Sequence, residues 1–457
     1  MSVDDLVAEL TAHADDATRP ALRPIIERLT RPLRVRATGR VGVGVHTLTD
    51  ALRDAGLTVA DARAEVEVLV IAASANDDPA ALQIVISIAR RFKQRSVRER
   101  AAELVEQIAA RRGWSTEELA DRTIPTAGFP TADEVAAEGE EQPTENGVAI
   151  LDYGSRHFTM RIGPDLGLAL FTADGTPLKA LPKAGVKDDA ELAKEARATV
   201  TSAKKELNQV VALQTARLHE AMALQRTWTA STWRDAFSNH PVMRHLVSRL
   251  IWAAGPVGED GTPLEGAAVT LLLPTLDGEL LDADDVDVVL APDSRLWLAH
   301  ASLLDPATVA LWRARLTDYG VTPLVDQFTQ VERAAPSFAA GATELNDREG
   351  WVLTIGALRT RVARQGFQLA SAEDGGWISS VVKDVGSWRA VVDMTGTYPG
   401  QEVGESLALT RLTVERAGRA VPLEQVPPVL LAVVFDDYCA IADGGAFDPE
   451  WKKRTGW

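Results

Sequence analysis

Cysteine is nearly missing from this chain. One thiol, Cys439, in 457 residues excludes an internal disulfide framework and any cysteine cage for a metal, and it suits a reducing compartment. It lies in the apolar run 430–441, where a buried, inert thiol is the expectation. Histidines are few, seven in all, and the nearest pair in the richest stretch, His240 and His245, is spaced i, i+5 across a proline. Helical zinc pairs need i, i+3 or i, i+4, so capping or packing is expected and no metal site is predicted. No window reaches eighteen apolar residues, and the start, MSVDDLVAELTAHADD, has no basic segment leading into an apolar one. A membrane span and a leader are therefore not expected, and a cytoplasmic location is. GxSxG, HExxH and GxxxxGK[ST] do not occur. Residues 282–287, DADDVD, lack the glycine and terminal glutamate of a calcium loop and read as a solvated turn. No cofactor follows from any motif.

Composition is that of a folded protein: 46% hydrophobic and 25% charged residues, with a formal net charge of −17. That charge argues against nucleic acid or anionic membrane as partner of the whole chain. The length favours more than one domain.

The densest stretch is 227–252, TWTASTWRDAFSNHPVMRHLVSRLIW, with three tryptophans, two histidines and three arginines. Pro241 suits a first helical turn, with Asn239 or His240 as cap. Met243, Val247, Leu250 and Ile251 recur at the spacing of one buried helical face, leaving Arg244, His245 and Arg249 on a basic side. Trp233, Leu246 or Leu250, and Trp252 are expected in the core.

Residues 1–122 read as helices at 3–13, 20–29, 46–55, 59–75, 79–92 and 97–111, separated by Gly, Pro and Asn-Asp breaks. Leu82, Val85, Ile86 and Ala89 share one face, as do Ala101, Leu104, Val105 and Ile108. Such a succession suggests stacked helical hairpins of the HEAT type. The alternating glycines of 39–44 resemble GxGxxG, but no strand precedes them, so a loop is expected. The arginines between 90 and 112 are interleaved with Glu99, Glu103 and Glu106, which fits helix-surface pairs better than a phosphate-binding face.

Residues 123–147, rich in proline and glycine and carrying the acidic run 138–141, read as a linker. Residues 148–457 read as an α+β domain. It opens with a meander at 148–151, 157–162 and 166–171, turning at Tyr153-Gly154, Gly163-Pro164 and Asp174-Gly175. A long central helix over 188–224 follows, free of Gly and Pro, with Leu192, Ala196, Val200, Ala203, Leu207, Val211, Leu218 and Met222 on one side. Strands are expected at 267–273, 286–290 and 296–299, and Asp305-Pro306 is expected to open a helix to 318. A helix at 347–364 and strands at 376–382, 388–394 and 407–414 complete the reading. The fold class is thus mixed: a helical-repeat unit followed by α+β.

LDYGSRHFTMRIGPD, LKALPKAGVKDDAELAKEA, the 226–252 stretch and SRLWLAHASLLDPATVALWRARLTDYGV resemble the large domain of unknown function in the molybdate-metabolism-regulator (MolR-like) family of bacterial proteins, often found beside a WGR domain. The resemblance runs from about residue 111 to 457. The helical N-terminus is similar to the repeats that precede this domain in longer relatives. The chain has Leu298-Ala299-His300-Ala301 where the family pattern has LAHP, and a stretched 322–330 where the pattern has a compact QPF.Q. No WGR-like stretch is read here, so no tie to DNA ends or ADP-ribose is implied. The family supplies no established catalytic residues, and its name implies regulation.

The polar group singled out for binding is His300, Gln327, Gln330 and Arg333, at a strand end and the loop after the 306–318 helix, joined by Arg156 and His157 at the meander turn. Two function classes follow. One is a noncatalytic cytoplasmic regulatory or protein-interaction scaffold with a protein partner. The other is an enzyme or ligand sensor binding an anion or nucleotide near His300 and Arg333. Convergence of those side chains favours the second class, and their dispersal favours the first.

Overall fold

The computed structural model describes residues 79–91, 95–131, 147–258, 261–264, 266, 268–291, 294–328, 336–398, 400 and 403–455. The helices expected at 3–13, 20–29, 46–55 and 59–75, the glycine loop at 39–44, and the acidic run at 138–141 lie outside them. Contacts divide the chain into two compact units, Met1–Pro125 and Thr126–Trp457.

In the first unit, α1 (Pro79–Arg91) and α2 (Arg95–Arg112) pack on each other, and α3 (Thr116–Arg122) follows. Their core is Leu82, Val85, Ile86 and Ile88 against Val97, Ala101, Leu104, Val105 and Ile108, the faces that the 3.6-residue period picks out. Ser115 caps α3 by accepting from the Glu118 N–H at 3.0 Å. The buried Gln83 ties α3 back to α1, its Nε2 donating to the Ala120 carbonyl at 2.8 Å and to Thr123 Oγ1 at 3.1 Å. One helix pair and a short third helix are not a countable repeat, so a HEAT array is not visible among the described residues. On the surface Arg100 pairs with Glu103 and Arg122 with Glu118, the helix-face pairs expected of an interleaved charge run.

The second unit begins buried at Ala127 and Phe129. A four-stranded antiparallel meander follows, β1 (Val148–Asp152), β2 (His157–Ile162), β3 (Leu168–Thr172) and β4 (Pro177–Leu178), paired in that order. The long helix α4 (Ala190–Ala223) then starts at Asp189, whose carboxylate accepts from the Glu191 and Leu192 N–H groups. Its 34 residues make a rod of about 50 Å. Ala193, Ala196, Ala203, Leu207, Val210, Leu218 and Met222 are buried along it, and it touches β1, β3 and the later segments Arg295–Leu298 and Pro428–Ala442. It ends where Gln225 adopts φ +50°, with the Arg226 N–H returning to the Ala221 carbonyl.

The tryptophan-rich stretch folds as β5 (Trp228–Thr229), α5 (Ala230–Trp233), a π-helical turn Arg234–Ser238, α6 (Met243–Val247) and β6 (Trp252–Gly255). A five-stranded antiparallel sheet is completed by β7 (Thr270–Pro274), β8 (Leu280–Leu281) and β9 (Arg295–Leu298), in the order β5-β9-β6-β7-β8. Asp305 caps α7 (Pro306–Asp318), which covers one face of this sheet through Val309, Trp312 and Leu316 against Ile251, Ala253, Trp297 and Ala299.

The remainder is an eight-stranded antiparallel sheet built from β10 (Glu344–Leu345), β11 (Trp351–Thr354), β12 (Gln368–Leu369), β13 (Ile378–Val385), β14 (Trp388–Thr397), β15 (Ser406–Arg416), β16 (Arg419–Ala420) and β17 (Ala446–Phe447), with helices α8 (Ile355–Arg364), α9 (Pro428–Ala442) and α10 (Trp451–Thr455). Val381, Val385, Trp388, Ala390, Val392, Leu412 and Val414 are buried on the face turned to the helices. The other face carries cross-strand ion pairs, Asp384–Arg389 and Asp393–Arg411–Glu344.

Two expectations are corrected, and one helix is found where none is expected. The helix read over 347–364 is a turn, then strand β11, then α8. Trp351, Val352 and Leu353 are strand formers that pair with β15 and β17, and the Thr354 hydroxyl caps the helix after them. The strand read over 286–290 is a loop bridged only at Asp287, because the Asp282 carboxylate accepts from the Asp284 and Val286 N–H groups and turns the chain. Residues 428–442 form a helix the pattern does not reveal: α9 is buried on several sides against α4, β11 and β15, so its apolar residues show no single face.

Candidate functional site

The aromatic hub positions everything around it. Trp228, Trp233, Phe237 and Trp252 are all buried. They meet edge to face, with Trp233 and Trp252 centroids 5.3 Å apart at 76° and Trp228 and Trp252 5.5 Å apart at 66°. After the π-helical turn, His240 Nδ1 accepts from the Val242 and Met243 N–H groups, so the histidine is the cap that Pro241 announces. Trp252 Nε1 donates to the Val247 carbonyl at 3.2 Å, tying β6 to α6.

From this hub β6 and β9 run side by side to Ile251 and Ala299, where the ladder would stop. Gln327, 2% exposed, extends it. Its Oε1 accepts from the Ile251 N–H at 2.9 Å, and its Nε2 donates to the carbonyls of Ile251 (2.7 Å) and Ala299 (2.8 Å). The side-chain amide thus behaves as one further peptide unit of the sheet. Its backbone carbonyl accepts from the Ala301 N–H. His300, 0% exposed, sits one residue away as the N-cap of the 3-10 turn Ala301–Leu303. Its Nδ1 accepts from the Ser302 N–H at 3.2 Å and lies 2.8 Å from Ser302 Oγ, an arrangement that assigns the proton of the neutral ring to Nε2.

His300 borders a cluster the sequence does not announce. His219 on α4 is held near pKa 4, below the ordinary 6.5, first by burial, then by the charge of Lys383, then by His300. Lys383 Nζ donates to Asp437 Oδ2 at 2.7 Å, joining β13 to α9 in a largely buried pair. Burial raises the Asp437 carboxyl above its usual range against the lowering effect of Lys383. The four groups come from α4, the 3-10 turn, β13 and α9. His219 is therefore uncharged at neutral pH, and it stands beside the Lys383–Asp437 contact. No set of three His, Cys, Asp or Glu that could hold a metal occurs among the described residues. The sequence marks two members singly, Lys383 at an inward position between Val381 and Val385 and Asp437 within an apolar run, but not their meeting.

The structure brings His300 and Gln327 together, both bound to backbone. Arg156 belongs elsewhere. On the β1–β2 turn its guanidinium grips Asp188, Nε at 3.2 Å and Nη2 at 2.8 Å, and Nη2 also reaches the Lys183 carbonyl at 3.4 Å. Arg156 and then Ser155 hold the Asp188 carboxyl down to about 2. His157 Nε2 lies 3.4 Å from Asp152. Gln330 and Arg333 lie outside the described residues. On α6, His245 is likewise pushed to about 4 by burial and by Arg244 and Arg249, and Arg249 donates to the Pro164 carbonyl. Cys439 is a buried free thiol within α9. Among the described residues no helix is long and apolar enough to cross a membrane.

Comparison with known proteins gives a partial match. No solved structure matches the chain. It is 27% identical over 353 residues to "Uncharacterized protein YehI" of Escherichia coli (strain K12), an alignment covering 77% of this chain and 27% of that relative. Residues 175–367, from the end of the meander through the aromatic hub and the Gln327 ladder to the end of α8, match the family model described as a domain of unknown function, DUF4132.

Proposed function

We propose that the chain is a noncatalytic cytoplasmic interaction module with a regulatory role, as its resemblance to the MolR-like family implies, and that its N-terminal helices begin a HEAT-like stack that offers a surface to a protein partner. One observation carries this reading. Of the described members of the expected ligand group, His300 and Gln327 are spent on the fold, the first capping a turn and the second completing a sheet ladder, and Arg156 is held apart from them by Asp188. Polar side chains used up by backbone groups are poor ligand contacts, since releasing them leaves buried peptide groups unsatisfied. A second reading, a sensor of an anion or nucleotide, draws on the electrostatic coupling of His219 to His300 and Lys383.

Co-purification of the tagged full chain separates the two. The interaction reading expects a stoichiometric partner that survives Arg333→Ala and His300→Ala and is lost on charge reversal of the exposed α2 positions Glu99, Glu103 and Glu106. A turnover or ligand-induced stabilisation that either pocket substitution abolishes overturns it.

A further inference from the structure

The loop between β4 and α4 is highly exposed and yet firmly held. Lys179, Lys183, Val186 and Lys187 are all exposed, and Val186 completely so. Among the described residues none of the three lysines forms an ion pair. The loop is nevertheless pinned from beneath. The Asp188 side chain, 3% exposed, accepts from Ser155 Oγ (2.6 Å), Arg156 and the Gly185 N–H (2.7 Å). The buried Tyr153 donates its hydroxyl to the Pro182 carbonyl at 3.0 Å, and its own carbonyl accepts from the Asp189 N–H at 2.9 Å. Asp188 is ion-paired with Arg156 and the Asp189 carboxylate caps α4, while residues 179–187 themselves carry three lysines and no acid in a protein of net charge −17. An exposed loop normally loses conformational freedom on binding, and here that freedom is already lost.

We infer that residues 179–187 are a preformed docking element for an acidic peptide segment of a protein partner, the lysines meeting carboxylates and Val186 meeting an apolar side chain between them. This rests on the reading of the chain as an interaction protein and names the chemistry of its partner. A peptide fits better than the other polyanions. The loop has neither the arginine forks that clamp phosphates nor an aromatic ring on which bases stack. The protein's overall charge repels nucleic acid and anionic membrane at long range, and one valine is a small anchor for a bilayer.

Fluorescence anisotropy on the full chain tests this, with a fluorescein-labelled peptide of alternating glutamate and leucine, about twelve residues long, at low salt. Saturable binding is expected that weakens about tenfold or more on joint Lys179→Glu, Lys183→Glu and Lys187→Glu. The charge-matched control, Lys194→Glu, Lys204→Glu and Lys453→Glu, should change it by less than about twofold. Joint Tyr153→Phe and Ser155→Ala keeps every charge but removes two of the bonds that pin the loop, so it should weaken binding several-fold while leaving the salt dependence as steep, with the thermal midpoint checked to show that the fold persists. Failure to bind the peptide, equal weakening by the control, or tighter binding of oligothymidylate or phosphatidylserine vesicles through the same lysines overturns the assignment. If the partner found by co-purification is still captured by the loop-reversed chain, the loop assignment falls and the interaction reading stands. If no partner is found and a turnover is, the interaction reading falls.

Discussion

The aromatic hub and the His219–Lys383–Asp437 cluster are both interior, and they hold their surroundings by opposite means. At the hub, Trp228, Trp233, Phe237 and Trp252 are packed edge to face, and almost all the stabilisation is apolar area and dispersion. At the cluster, Lys383 and Asp437 have been taken out of water at a cost that their 2.7 Å contact offsets only while both are present. The hub therefore adds stability with each atom it buries. The cluster adds little net stability, but it fixes which residue of β13 faces which turn of α9, because a slip leaves two buried charges unmatched. A dispersion-packed core tolerates neighbours of the right volume; a buried ion pair tolerates only its own register.

Truncation at the hub should have the largest effect. Trp233→Ala is expected to cost about 3–5 kcal/mol, as removal of a buried aromatic does, read as a fall in the denaturation midpoint. Trp233→Phe sharpens the point. The indole Nε1 of Trp233 is buried with no hydrogen-bond partner among the described residues, so phenylalanine removes volume but also an unmet donor, and its cost should be clearly smaller. A Trp233→Ala protein as stable as the parent would show that the hub is not a centre of the fold.

At the cluster, Asp437→Ala should cost about 3 kcal/mol, because it strands the Lys383 ammonium in the interior. Replacing both partners, Lys383→Met with Asp437→Leu, should recover most of that loss. This rescue has no counterpart at the hub, where a second truncation can only add to the first. Additive losses from the two cluster substitutions would mean that the two side chains are not energetically coupled, and the contrast fails.

What could be read from the residues follows the same divide. The meander, the long α4, α7 with its Asp305-Pro306 start and the buried Trp233 and Trp252 were legible because period, caps and aromatic density are local signals, though the cap of α4 is Asp189 and not the Asp188 at which the helix was expected to open. α9 was not, since a helix buried on several sides loses its amphipathic face. Residues 347–364 misled because Thr354 divides a strand from a helix within one apolar pattern. His300 drew attention as a chemical type, and Gln327 by its neighbourhood, but whether an amide serves a ligand or the backbone depends on Ile251, 76 residues away. His219, Lys383 and Asp437 meet only through the tertiary fold, so no spacing between them could have been read.

The smallest of the expected effects separates the two regions by pH. His219 titrates near 4 in the folded protein against an ordinary 6.5, first because of burial and then because of Lys383 and His300. The unfolded chain therefore takes up a proton there as pH falls below about 6.5, while the folded chain does not until about 4. The resulting stability is complete above pH 6.5 and is lost progressively between 6.5 and 4, with an upper limit of roughly 3 kcal/mol for one such group at about 1.36 kcal/mol per unit. His245 acts in the same direction through burial, Arg244 and Arg249. Asp437 acts in the opposite direction, because its raised carboxyl lets the folded state bind a proton before the unfolded one does. His219→Gln should therefore flatten part of the acid slope and leave the share due to His245. The same substitution in the Lys383→Met, Asp437→Leu background should flatten it less, since removing Lys383 takes away one of the causes that depress His219. Trp233→Phe should lower the whole stability curve without changing its slope. Chemical denaturation at a series of pH values between 4 and 7 measures both, and a slope that His219→Gln leaves untouched would remove the imidazole from the cluster's electrostatics.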